Sequence, residues 1–137
     1  MRKILVDTNV ILDVLLDRRP HAEASAAIWS LVETGAAEGL LAVHAITTIH
    51  YLIQKQVGEM KATRAIAAIL KVFDVAPIDF KVIEAAIQLH LPDFEDAVTA
   101  SAAFATGCDW IATRDPRGFR GSTVRAITPQ MLIPLLK

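Results

Sequence analysis

The sequence predicts one α/β domain over residues 1–137, a three-layer α/β/α sandwich around a mostly parallel sheet. Short apolar runs alternate with helical patterns along the chain, the arrangement that builds parallel sheets. The runs are apolar at successive positions instead of every second one, as strands buried on both faces are. A length of 137 residues with 53% apolar content is enough to fill a core without disulfides or other staples.

Lys3-Ile4-Leu5-Val6-Asp7 reads as the first strand, and Val10, Ile11, Val14 and Leu15 mark the helix behind it. Pro20 is placed to open a second helix, in which Ala24, Ala27, Ile28, Leu31 and Val32 recur at helical spacing until Gly35 stops it. Gly39 to Val43 follows as a buried strand. Thr47 or Thr48 is the expected N-cap of a helix running to about Val57, which Gly58 breaks. Ala65, Ile66, Ile69, Leu70 and Phe73 give the face of the next helix, and Asp74 to Ile78 a further strand. Asp79 suits the N-cap of a helix presenting Val82, Ile83, Ala86, Ile87 and Leu89. Pro92 and Asp93 introduce an alanine-rich helix that Gly107 ends. Trp110 to Thr113 is the strongest late strand and Thr123 to Ile127 a weaker one, after which Thr128-Pro129 opens a short helix.

Several function classes are disfavoured. Acidic residues interrupt the N-terminal apolar stretch at Asp7, Asp13 and Asp17, so no signal peptide is expected. No apolar run approaches the roughly 20 residues that cross a bilayer, and a soluble cytoplasmic protein is expected. No glycine-rich phosphate loop follows a strand. His21, His44, His50 and His90 lack the paired spacing of a zinc protease helix, and Cys108, just past a helix stop in an apolar context, is expected as a buried inert thiol. Net charge is only −1, but residues 107–137 carry +3 and the remainder −4. A basic segment holding Arg114, Arg117 and Arg120 beside acidic clusters would bring phosphates to metal-binding carboxylates, or else is a solvated loop.

Open parallel sheets form sites outside the carboxyl ends of their strands. Asp7 ends the first strand and Asp115 follows the best late one. Asp7 suits a helix N-cap, and equally a metal ligand with Asn9 holding water beside it. In Pro92-Asp93-Phe94-Glu95-Asp96, Asp93 is the expected N-cap and Asp96 falls at N3. Ala97, Ala100 and Ala103 let that helix approach the sheet and carry Asp96 toward the strand ends, while Glu95 projects about 100° away. Asp115 alternatively begins a turn into Arg117-Gly118. A carboxylate cluster of this kind suits Mg²⁺ or Mn²⁺ and phosphodiester hydrolysis.

The motifs Ile4 to Asp13, Asp93-Phe94-Glu95-Asp96-Ala97 and Ile111 to Phe119, in this order and spacing, resemble those of the PIN-domain nucleases, notably the VapC-type ribonuclease toxins. The resemblance covers nearly the whole chain. It implies a PIN fold, Mg²⁺- or Mn²⁺-dependent cleavage of RNA, homodimers, and inhibition by a short antitoxin protein. It places Asp7, Asp96 and Asp115 on acidic positions and Thr8, Asn9 and Thr113 on supporting polar ones. The family's remaining acidic position, a Glu on the helix after the second strand, falls on His50. That exchange removes a charge and a hard ligand, for which Glu95 or Asp93 would compensate. It leaves open a weakly active PIN domain that binds RNA or a partner protein. A phosphatase with Asp7 as nucleophile is a third reading, although the usual second Asp is Asn9.

Overall fold

A computed structural model describes all residues, 1–137. The chain runs β1 (Lys3–Val6), α1 (Thr8–Leu15), α2 (Ala22–Glu33), β2 (Glu38–Ala42), α3 (Val43–Val57), α4 (Glu59–Leu70), β3 (Asp74–Ala76), α5 (Phe80–Leu89), α6 (Phe94–Ala105) and β4 (Trp110–Ala112). A single 3₁₀ turn (Pro116–Phe119), β5 (Arg125–Ile127) and α7 (Pro129–Leu136) complete it.

The five strands form one sheet in the order β3-β2-β1-β4-β5, and all four pairings are parallel. β1 lies at the centre, with Leu5 opposite Leu40 on one side and Ile111 on the other. Its residues Ile4, Leu5 and Val6 are at most 1% exposed, which explains why the run is apolar at every position. Successive side chains go to opposite faces. Ile4, Val6 and Leu41 join a core with Ile11, Ile28 and Ile49 under α1 to α4 and α7. Leu5, Leu40 and Ile111 join a second core under α5 and α6. These are the three layers anticipated. The small faces of Ala97, Ala100 and Ala103 are buried, so α6 packs close to the sheet.

Two expected N-caps hold, and Thr128, expected only to open the last helix, caps it as well. Asp79 accepts from Val82 N at 3.0 Å, Asp93 from Asp96 N at 2.9 Å and Thr128 from Met131 N at 3.4 Å. Elsewhere the boundaries move. α2 begins at Ala22 behind His21, so Pro20 precedes the helix instead of opening it. α3 begins at Val43, directly off β2. Thr47 and Thr48 lie inside it, and their hydroxyls donate back to His44 O at 2.9 and 3.1 Å, the bond a helix-interior threonine makes instead of a cap. β3 stops at Ala76, because Pro77 has no N–H for the ladder. Phe73 lies beyond the end of α4 yet reaches the core, edge-on to Trp29 with ring centroids 5.1 Å apart.

Gly39 sits in a tight part of that core. A Cβ there would stand 2.8 Å from both Phe73 Cδ1 and Val32 Cγ1. Gly39→Ala is therefore expected to destabilise the fold by about 1–3 kcal/mol through overpacking. Urea denaturation monitored by tryptophan fluorescence measures this directly.

Candidate active site

β1 and β4 are neighbours, with Val6 opposite Ala112, so the residues that leave their carboxyl ends stand side by side. Asp7 N still donates to Ala112 O at 2.9 Å, and Thr113 N to Ile127 O at 3.0 Å, which extends the sheet's order one residue into the site. Asp7 Oδ1 accepts from Thr8 N at 2.9 Å and Oδ2 from Thr113 Oγ1 at 2.8 Å. Asp7 thus caps α1 in part while a second element fixes its other oxygen. Thr113 Oγ1 in turn accepts from Asp115 N at 3.1 Å and from Asn9 Nδ2 at 3.5 Å, and Asn9 Oδ1 accepts from Arg114 N at 3.3 Å. Thr8, Asn9 and Thr113, the expected supporting residues, are all at the cluster.

Asp96 arrives from the first turn of α6, where Asp93 takes its backbone N–H. No hydrogen bond engages its own carboxylate, so Asp96 is not half of a capping box. The same is true of Asp115, whose backbone carbonyl accepts from Gly118 N at 3.2 Å to form the turn while its side chain stays free. Turn and cap therefore leave both carboxylates available. Gly118 shows how near they are, since a Cβ built on it would lie 2.9 Å from Asp96 Oδ2 and 3.6 Å from Asp115 Oδ2.

The electrostatics follow from this crowding. Burial pushes the Asp7 carboxyl above its ordinary value, against the bonds from Thr113 and Thr8 that lower it. Asp96 is pushed up to about 6, first by burial and then by the charges of Asp7, Asp93, Glu95 and Asp115. Five carboxylates thus share one edge of the sheet. As the side chains stand, no three acidic or imidazole groups converge closely enough to enclose one ion. Mutual repulsion keeps unneutralised carboxylates apart, and the all-oxygen donor set still suits a hard divalent cation that retains some of its own waters.

A carboxyl with a raised value binds its proton more readily in the folded chain. Between the ordinary value of 3.8 and about 6, the folded state therefore holds more protons than the unfolded one. Through Asp96, the stability of metal-free protein falls as pH rises across that window. A thermal melt in chelator is expected to show the wild-type Tm close to that of Asp96→Asn protein near the ordinary carboxyl value of 3.8 and falling below it as pH rises through about 6.

Two expected site residues sit differently. Arg114, read as one of three phosphate-binding arginines, turns inward, with Nε 2.7 Å from Oδ2 of the fully buried Asp13. An unpaired carboxylate in the core is too unfavourable to leave alone, and Arg114 is the cation in reach. Arg117 and Arg120 are exposed on and beside the turn. His50 is the second. The α3 face bordering the acidic edge carries His44, Thr47 and Thr48, which line a cleft of about 420 Å³ with Phe94 and Glu95. His50, one turn on from Thr47, is not among the residues that line that cleft. His44 is the imidazole at the site. Its Nε2 is 3.1 Å from Thr99 Oγ1, which itself donates to Glu95 O at 3.1 Å. With the Thr99 hydroxyl already donating to Glu95 O, Nε2 is the donor to Thr99, and the buried Nδ1 has no partner. Cys108 is buried, as expected, and burial raises its thiol's pKa.

The family model of the PIN domain matches residues 3–117. Ribonuclease VapC1 of Aquifex aeolicus (strain VF5) is 26% identical over 133 residues, spanning 93% of this chain and 91% of that protein. FitAcB from Neisseria gonorrhoeae superposes with a TM-score of 0.74 at 22% identity, over 93% of this chain and 98% of that one. Mycobacterium tuberculosis VapC20, described as a sarcin-ricin loop cleaving toxin, gives 0.68 at 16% identity, over 84% and 92%.

Proposed function

The chain belongs to the PIN-domain family, and from that premise we propose that it is a divalent-metal-dependent ribonuclease hydrolysing RNA phosphodiester bonds, the toxin of a toxin–antitoxin pair. One observation carries the chemistry. Burial, and then four neighbouring carboxylates, hold Asp96 up at about 6, and the charge excess among them is one that a cation would relieve. Asp7, Asp96 and Asp115 would hold Mg²⁺ or Mn²⁺, with Asp93 and Glu95 at the rim. Such an ion lowers the pKa of water and offsets charge on a leaving oxygen.

The chain's own residues do the rest. Thr113 and the Thr8 amide orient Asp7 through its two oxygens. Asn9 ties α1 to the Thr113–Asp115 segment from which the third carboxylate projects. Arg117 and Arg120, exposed beside the turn, supply positive charge for RNA phosphates. The relative named as a ribonuclease supports the reaction class. A solved VapBC from Salmonella typhimurium, bound to DNA, supports a short antitoxin as partner. A homodimer acting in the cytoplasm completes the reading. No helix is long and apolar enough to cross a membrane.

The test incubates purified protein with RNA and with DNA of the same sequence, under Mg²⁺, Mn²⁺ or chelator. RNA cleavage that needs the metal and is lost in Asp7→Asn protein is the expected result. RNA bound but left intact by wild-type protein would leave only the non-catalytic binding module.

A further inference from the structure

The least explained charge in the molecule lies outside the acidic edge. Asp13 is fully buried in the last turn of α1, an ionisable group beside the buried Val10, Ile11 and Leu12. Its Oδ2 accepts from Arg114 Nε at 2.7 Å and from Ser25 Oγ at 3.2 Å, while Oδ1 has no partner. An apolar residue of similar volume would serve the core at least as well, because desolvating a buried ion pair offsets much of its attraction. The pair therefore calls for a reason other than stability, and its geometry supplies one.

Asn9 and Asp13 are four residues apart, so they stand on one face of α1. Both grip the same residue. Asn9 takes the backbone N–H of Arg114 at 3.3 Å and Asp13 its side chain. Arg114 lies between Thr113, which bonds Asp7, and Asp115, whose amide bonds Thr113. With Arg114 drawn inward, its neighbour Asp115 is presented outward, where it is exposed beside Asp96. We propose that the buried Asp13–Arg114 ion pair is a positioning device that holds the Thr113–Asp115 segment and so aims Asp115 into the site. Asp13 is then a positioning residue acting through Arg114, and neither touches the reacting atoms. The proposal rests on the metal-dependent reading above for its consequence, but not for its geometry.

The deciding experiment replaces the pair with apolar side chains, Asp13→Leu with Arg114→Met, in the full chain. A merely structural pair gives a folded double variant with unchanged Mn²⁺ affinity and unchanged exchange of the Asp115 amide. Positioning gives a folded variant whose residues 113–118 exchange at least about tenfold faster and whose Mn²⁺ affinity, by calorimetry, falls by about 10–100-fold. Faster exchange with unchanged affinity overturns the proposal, as does no change in either. Arg114→Lys, which keeps the charge but loses the Nε bond, is the fallback if the double variant does not fold, and the same two readouts decide it. Should wild-type protein bind no Mn²⁺, the ribonuclease reading fails, and exchange at Asp115 alone decides whether the pair positions that segment.

Discussion

Asp96→Asn protein is expected to lose metal-dependent RNA cleavage by about 10²–10³-fold, the range seen when one transition-state-stabilising group is removed, while its metal-free form melts higher than wild type. The two effects have one origin. Asp96 feels Asp7, Asp93, Glu95 and Asp115 at once, and nothing in its surroundings donates to its carboxylate. Neutralising it removes repulsion from the folded state and also removes an oxygen ligand with its charge. The gain in Tm is small, about 2 °C, because the group is only partly buried and solvent screens the repulsion. Adding Mn²⁺ should raise the wild-type Tm and leave the variant's nearly unchanged. A variant that is neither stabilised without metal nor impaired in cleavage would remove Asp96 from the site. Proton and metal compete for the wild-type carboxylate, so Mn²⁺ binding weakens as pH falls through about 6.

Gly118→Ala is expected to produce nearly as large a loss of cleavage with little loss of stability. The new methyl group would meet Asp96 Oδ2 at 2.9 Å and Asp115 Oδ2 at 3.6 Å. These are ends of side chains that are not packed in the core, so they can swing aside. They cannot do so and remain where two elements bring them together. A displacement near 1 Å in a reacting constellation lowers rate by up to about 10²-fold. Gly39→Ala is the contrasting control, because its methyl group meets Phe73 and Val32 and its effect falls on stability instead of the site. Comparing unfolding free energy and turnover for the two variants separates the roles. Equal turnover in Gly118→Ala and wild type would mean that Asp96 and Asp115 need not be adjacent.

The sheet and its helices were legible because their signals are local. A strand buried on both faces must be apolar throughout, and Ile4-Leu5-Val6 is. Asp79, Asp93 and Thr128 cap helices with bonds that span only three residues. The acidic edge was legible because parallel strands end together. What was missed depends on contacts distant in sequence. His50 was singled out by the family resemblance alone, and His44 falls outside a helix expected to start at Thr47. The observed start at Val43 places His44 in the cleft beside Glu95 and near Thr99. Arg114 was read as a surface cation because nothing near it in sequence reveals that α1 buries Asp13. The apolar spacing on α1 favoured Val14 and Leu15, yet Leu12 and Asp13 are the more deeply buried. Gly118 looked like an ordinary turn residue, and only two carboxylates approaching from different elements give it importance.

The central place of β1 also sets a timetable for the nascent chain. Asp7 and the threonine that orients it are 106 residues apart, and the strand between Asp7's sheet and that threonine is nearly the last to be made. Until β4 leaves the ribosome, β1 can pair only with β2, and its other edge stays open. A product broken off before Trp110 would therefore lack the catalytic edge and present an unpaired apolar strand. The order of synthesis thus leaves the acidic edge incomplete until the fold can close around it.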